Sequence, residues 1–303
     1  MSVALHNARD VEVPGLTAPS LLRTLRSRST REVRGRRWSR RPILRKVHDM
    51  LSRLMRHLVV DRDGALAHRL ARLEASNRCL QIALDGMLVS PKYVPSDEVG
   101  FNGQACRKRI FQEILGAAPV EGIVETGTCL GDTTGYMALT SHLPVHTCDL
   151  NPRFHALAKA RLSDIDRVYL NLLDSRRFLR ERARGPMADR LLLFYLDAHW
   201  YDDLPLSQEL DIIASEWAQF IVMVDDFQVP DDPGYGYDNY GEDKALTLDL
   251  LRPSIKQHDL VVFFPSYTAV QETGARRGCV VLTRQGEYAD KLDSVSSLRR
   301  WAV

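Results

Sequence analysis

The stretch IVETGTCLGDTT, residues 123–134, decides the fold. Its apolar start reads as a buried strand that ends at Glu125. Gly127 and Gly131 permit a tight turn and a close approach of ligand to backbone, and a helix is expected from about Thr133. The spacing is E-x-G-x-x-x-G rather than G-x-G-x-x-G, which argues against a dinucleotide site.

Outward from this turn the same rhythm of strand, turn and helix repeats. Strands are expected at Gly122–Glu125, Val145–Asp149, Val168–Leu172, Leu191–Asp197, Phe220–Asp225, Leu260–Phe264 and Gly278–Leu282. Helices are expected at Thr133–Leu143, Arg153–Leu162, Ser175–Ala183 and Leu206–Ser215. Runs such as LLLFYL and FIVMV show no polar alternation, as strands covered on both faces of a parallel sheet should not. The last two strands are joined through Gly274 and Gly278 without a crossover helix, so they are expected to close the sheet as an antiparallel pair. The fold class is α/β: a doubly wound, mostly parallel, seven-stranded sheet with its ligand site at the carboxyl ends of the strands.

Those strand ends carry the chemistry. VHTCDLN places Asp149 at the tip of the second strand, where a carboxylate can accept hydrogen bonds from both hydroxyls of a ribose. YLNLLDSRRFL places Asp174 and Ser175 after the third. LLLFYLDAHWYDD places Asp197 after the fourth, with His199, Trp200 and Tyr201 behind it, and FIVMVDDF places Asp225 and Asp226 after the fifth. Neighbouring strands lie about 5 Å apart, so three carboxylates converge and need a cation or a proton to relieve their repulsion. Oxygen ligands of this kind suit Mg²⁺, Ca²⁺ or Mn²⁺.

In this order the motifs resemble those of class I S-adenosylmethionine-dependent methyltransferases. Within that class they resemble the metal-dependent O-methyltransferases of the catechol type and their relatives acting on macrolide sugars. The resemblance covers residues from about 100 to about 285. It implies a cofactor site of Glu125, Gly127, Thr128, Gly131, Asp149, Asp174 and Ser175, with the acid after the third strand meeting the adenine amino group. It implies Mg²⁺ held by Asp197, Asp225 and Asp226. The lysine base of the catechol type has no counterpart here; His199 is the candidate base, because an imidazole titrates near working pH. Its other reading is a structural hydrogen bond beneath the metal. The implied reaction is methyl transfer to a hydroxyl of a sugar, another diol-bearing small molecule or a glycan, with Asp197 and His199 in the catalytic role. A metal-independent methyltransferase, a relative of the cephalosporin hydroxylases, and a non-catalytic interaction protein with a vestigial cofactor fold stay open as alternatives.

Substrate candidates surround these tips. FNGQACRKRIFQEIL, residues 101–115, offers Gln104 and Arg107, though a packing helix is the plainer reading. VPDDPGYGYDNYGEDK, residues 229–244, offers Tyr235 and Tyr237, with Tyr240 nearby, as rings that stack on a sugar. Tyr201 follows the fourth strand. GARRG, residues 274–278, presents Arg276 and Arg277, which could hold a substrate phosphate, though a solvated turn is the plainer reading.

The 303 residues divide unevenly in charge: residues 1–95 carry +11 and the rest −9, for a net +2. Residues 1–41 read as a flexible basic arm. Residues 42–95 read as a helical extension, in which Leu66, Leu70, Leu73, Asn77, Leu80, Leu84 and Met87 follow heptad spacing. A lone Asn among leucines resembles a parallel two-stranded coiled coil, and a helix docked on its own domain is the alternative. Residues 96–303 then form the methyltransferase-like domain. The expected partners are a small-molecule or glycan substrate and a second copy of the chain. The basic front segment is suited to anionic membrane or phosphates, and no specific nucleic acid is expected. Five cysteines without a CxxC pair, no signal-peptide pattern and no long apolar run point to a cytoplasmic protein, with peripheral membrane contact open.

Overall fold

A computed structural model of the protein describes Asn77 and residues 92–96, 99–199, 203–241 and 244–303. The basic arm, nearly all of the helical extension with its heptad seam, and Tyr201 lie outside the described residues.

The described chain opens with a 3-10 turn at Phe101–Gly103 and α1 at Ala105–Ala117. Five strands then alternate with helices: β1 Gly122–Thr126, α2 Asp132–Ser141, β2 Val145–Asp149, α3 Pro152–Arg161, β3 Val168–Leu172, α4 Ser175–Ala183, β4 Leu192–Leu196, α5 Leu206–Glu216 and β5 Phe220–Val224. The chain ends with α6 Leu248–His258, β6 Leu260–Pro265, β7 Val280–Arg284, α7 Glu287–Asp293 and β8 Leu298–Trp301. The strands form one sheet in the order β3-β2-β1-β4-β5-β7-β6-β8. The first five are parallel, and β7 runs antiparallel between β5 and β6. The order reverses between β1 and β4, the switch point at which doubly wound sheets open a crevice for ligand.

Burial explains the unbroken apolar runs. Every residue of β1, β4 and β5 is buried. Successive side chains point to opposite faces. Val124, Phe194, Leu196 and Val222 therefore enter one core, with Leu210, Ile213 and Trp217 of the α5 segment. Ile123, Leu193, Tyr195 and Ile221 enter the other, with Ile110, Phe111 and Ile114 of α1. Each large apolar side chain removed from water this way contributes about 1.5–3 kcal/mol before ordering costs.

The sheet has eight strands where seven are expected from the sequence. β8 pairs antiparallel with β6, and its sequence LRRW hides it. The arginines lie along aromatic faces: Arg300 stands 5.6 Å from the Phe263 ring centroid and Arg299 stands 5.1 Å from that of Trp301. Charged residues on a terminal edge strand also discourage pairing with further chains. No helix among the described residues is long and apolar enough to cross a membrane.

Candidate active site

The turn after β1 and the tip of β2 are tied into one unit. The backbone N–H groups of Gly127 and Thr128 both donate to the carbonyl of Cys148. The Thr128 and Thr147 hydroxyls are 2.6 Å apart. Asp149 organises the far side of the turn, accepting from Cys129 N at 2.8 Å and Asn151 N at 2.7 Å. Burial holds its carboxyl above the usual range against the pull of those two N–H groups. Gly127 has φ +89°, and a Cβ there would stand 2.2 Å from the Asp197 carbonyl oxygen. Its glycine is therefore required by the close passage of β4's exit. Gly131 begins α2 in the left-handed region.

Glu125 lies beneath this turn, 1% exposed, bonded to the Thr134 hydroxyl. Burial pushes its carboxyl up to about 7, with the hydroxyls of Thr134 and Thr147 pulling back. Leu150, beside Asp149, is 66% exposed. An apolar side chain on the lip of a polar turn is a surface for a flat ring, and sequence reading passed over it because a single leucine after a strand carries no pattern.

Asp174, expected at the adenine end of the cofactor site, caps a helix in the structure. It is the N-cap of α4, accepting from the backbone N–H of Arg176 and Arg177. The Arg176 guanidinium also grips it and reaches Asp203. This contact with Arg176 holds its carboxyl below the usual range. Ser175 is the first helical residue and is buried.

The acidic tips do converge, but not as three free carboxylates. Asp225 is 1% exposed and fully engaged. It pairs with the Arg107 guanidinium and accepts from the Tyr195 hydroxyl and from the backbone N–H of Asp226. Burial would raise its carboxyl, yet the Arg107 charge wins and holds it below the usual range. Both oxygens of Asp225, expected as a metal ligand, are thereby engaged by protein donors. Arg107, expected as a substrate contact, is likewise buried and paired. Its second nitrogen donates to the carbonyls of Arg277 at 2.6 Å and Gly278 at 2.9 Å, so it braces α1 against the loop before β7.

Asp226 adopts the left-handed φ of 51°, a conformation uncommon outside glycine and Asn or Asp and often found at functional sites. Arg277 Nε donates to it at 2.8 Å, and the same guanidinium pairs with Asp238. Burial and then the Asp225 charge push Asp226 up to about 7, against Arg277. Burial and the charges of Asp225, Asp226 and Asp238 hold Asp197 well above the usual range, although its side chain is about a third exposed at 32%. The exposed part opens toward solvent while the carboxylate crowd acts from within.

His199 is 4% exposed. Its Nε2 lies 3.7 Å from Asp197 Oδ1 and 3.7 Å from Asp238 Oδ2, and it has no hydrogen-bond partner among the described residues. Burial lowers its pKa, partly offset by Asp238 and Asp225. One atom each from Asp197, His199 and Asp226 fall within 4.8 Å of one another, a spacing that could hold a metal ion. Asp238 was missed from sequence because it lies in a loop whose tyrosines drew the reading. The loop is latched to the tip of β5 by Asp238 N donating to the Asp226 carbonyl. Four carboxylates, Asp197, Asp225, Asp226 and Asp238, thus face two guanidinium groups, Arg107 and Arg277. With all four ionised, two negative charges would be left over, and the raised carboxyls of Asp197 and Asp226 reflect that excess.

The remaining substrate candidates divide. Gln104 is fully buried, and its Oε1 accepts from Arg277 N. Tyr235 is buried with its hydroxyl on the Tyr267 carbonyl, a core position rather than a stacking one. Tyr237 is half-buried, and Arg276 is exposed with Nε on the Glu272 carbonyl.

No family model matches the chain, and no curated protein matches it. Among solved structures, an O-methyltransferase from Bacillus cereus in complex with SAH is 13% identical, with 69% of this chain and 90% of that chain covered and a TM-score of 0.44. The O-methyltransferase TomG from Streptomyces achromogenes, involved in tomaymycin synthesis and in complex with SAM, is 15% identical, with 59% and 80% covered and a TM-score of 0.44. An rRNA methylase from Streptococcus thermophilus is 15% identical, with 59% and 97% covered and a TM-score of 0.39. The chemistry is read from the site's own geometry.

Proposed function

We propose that the protein is an S-adenosylmethionine-dependent O-methyltransferase acting on a hydroxyl of a sugar or another diol-bearing acceptor. The observation that carries this reading is the pairing of two half-sites across the β1–β4 switch point. On one side stand the Glu125–Gly131 turn and Asp149; on the other stand an acidic cluster, with four carboxylates against two guanidinium groups, and an imidazole nitrogen that has no hydrogen-bond partner among the described residues.

The residues of the first half-site have clear tasks. Asp149 receives the ribose hydroxyls, Leu150 covers one face of the adenine, and the Glu125 turn lies along the amino-acid end. S-adenosylmethionine, when bound, supplies an electrophilic methyl group. The second half-site holds the acceptor and removes its proton. A carboxylate destabilised in its charged form, as Asp197 is by burial and three neighbouring acids, is a ready proton acceptor. A divalent cation fits the same place; when bound it lowers the pKa of a hydroxyl. Tyr237 and Arg276 border the acceptor side, and holding both reactants in line provides much of the rate. On this reading residues 1–95 serve association of two chains and contact with anionic surfaces rather than the chemistry.

The test is calorimetry of S-adenosylmethionine with the full chain and with Asp149→Ala, followed by an acceptor screen with labelled methyl groups in the presence and absence of EDTA. Binding by the full chain should fall roughly 10–100-fold in Asp149→Ala, the loss of hydrogen bonds to a charged group. A full chain that binds no S-adenosylmethionine overturns the proposal.

A further inference from the structure

The geometry points to a metal site in which His199 is a ligand through Nε2, together with Asp197 and Asp226, and which therefore selects a first-row transition cation over Mg²⁺. The inference rests on the acceptor-activating role given to this cluster and changes the part assigned to His199 from base to ligand.

Three observations carry it. First, His199 Nε2 is almost wholly buried and has no hydrogen-bond partner among the described residues. Leaving a buried ring nitrogen unmatched costs about 1–3 kcal/mol, so a site that keeps one has a use for its lone pair. Second, the distance of 3.7 Å from Nε2 to Asp197 Oδ1 is too long for a hydrogen bond. It is close to the separation of two atoms bound to one metal. With bonds of about 2.1 Å, a tetrahedral edge is about 3.4 Å and an octahedral one about 3.0 Å. The observed spacing is a little longer than either figure, and an oxygen of Asp226 lies within 4.8 Å of the same two atoms. Third, the ligand atoms are mixed. Mg²⁺ takes oxygen and demands near-octahedral geometry, whereas imidazole suits zinc, copper, iron and nickel, and Co²⁺ stands in the same affinity series.

The surroundings are built to support such a set. Arg277 Nε holds one oxygen of Asp226, which leaves the other for the cation. Arg107 takes Asp225 out of contention, so the cluster offers two carboxylates and an imidazole rather than three carboxylates. Asp238 Oδ2, also 3.7 Å from His199 Nε2, stands where it can accept from a ligand on the metal or complete the set.

The experiment is cation binding to the full-length protein after chelator treatment, with no dependence on turnover. Calorimetry with CoCl₂ and MgCl₂ should show Co²⁺ binding at least about tenfold tighter. His199→Ala should bring the two affinities toward equality, mainly by weakening Co²⁺. Pulsed EPR of the Mn²⁺-loaded wild type should show coupling to an imidazole nitrogen, and this reading needs no variant to fold. Mg²⁺ binding as tightly as Co²⁺, the absence of nitrogen coupling, an unchanged Co²⁺ preference in folded His199→Ala, or no binding of either cation each overturns the inference. S-adenosylmethionine binding, measured on the same samples, reports separately on the methyltransferase reading.

Discussion

The Arg107 guanidinium and the Asp225 carboxylate face each other inside the protein, each side chain 1% exposed. They come from α1 and the tip of β5, 118 residues apart. Two charges this deep are tolerated only because each satisfies the other and the remaining donors reach the carbonyls of Arg277 and Gly278.

Removing one partner leaves a buried charge without its counterion. Arg107→Ala should cost about 3–5 kcal/mol of stability in urea denaturation. Asp225→Asn should cost less, since it keeps the shape and its one amide oxygen still accepts from Asp226 N. The double variant should cost less than the sum of the two; full additivity would show that the pair does not act as a unit.

Glu209 of α5 gives a pH signature separate from the site. It is 1% exposed, and burial pushes its carboxyl from 4.5 up to about 7, with Ser175 and Thr126 pulling back. The folded protein thus holds the proton more tightly than the unfolded chain. Stability falls as pH rises from about 4.5 to about 7 and stays lowered above that. Glu209→Gln has no charge to bury. It should gain up to about 3 kcal/mol near pH 8 and nothing near pH 4, by urea denaturation at both. An equal change at both pH values would assign the effect to packing instead.

Two glycines separate conformational need from cost. Gly127→Ala places a methyl group against the Asp197 carbonyl at a φ of +89°, so it should lose well over 1–3 kcal/mol, about the cost of a strained φ alone. Gly116, inside α1, has open space around its missing Cβ. Gly116→Ala should stabilise by about 0.5–1 kcal/mol. Melting temperatures that move in the same direction would contradict this reading of the turn.

Arg277 fastens the loop around Asp238 to the tip of β5. Arg277→Met removes its contacts with Asp226 and Asp238 while keeping its aliphatic stem. Hydrogen exchange at the amides of Gly236, Asp238 and Leu246 should then quicken, roughly tenfold if the latch is worth about 1.4 kcal/mol, while β4 and β5 stay protected. Unchanged exchange in the loop would mean that its backbone bonds hold it without the side chain.

The parallel half of the fold was legible because local pattern determines it. β2 and β3 begin and end where the sequence places them, and α4 does too. Apolar runs that end at acidic tips mark β4 and β5 in the same way, without long-range information. β8 was not legible, since LRRW is polar and becomes a strand only through the aromatic side chains of β6. The site was legible in its backbone placement and not in its charge balance. Asp197, Asp225 and Asp226 do gather at adjacent tips. Which of them stays free depends on Arg107 and Arg277, which sit 118 residues before Asp225 and 51 residues after Asp226. No local window contains both partners. Asp238 escaped for the same reason: its importance comes from Arg277 and His199, not from its neighbours in sequence.

Glu272 accepts from Cys106 N at 2.9 Å and Arg107 N at 3.1 Å, while Thr273 accepts from Ala105 N. The opening turn of α1 is therefore completed by residues made some 165 positions later. On a translating ribosome, β1 to β5 have all emerged before this carboxylate is synthesised. The nascent chain then carries the parallel half of the sheet while the first turn of α1 still lacks these acceptors. A polypeptide halted before residue 272 would retain much of the sheet and lack this closure. Closure of the first turn of α1 thus waits on residues that are made after the whole parallel half of the sheet.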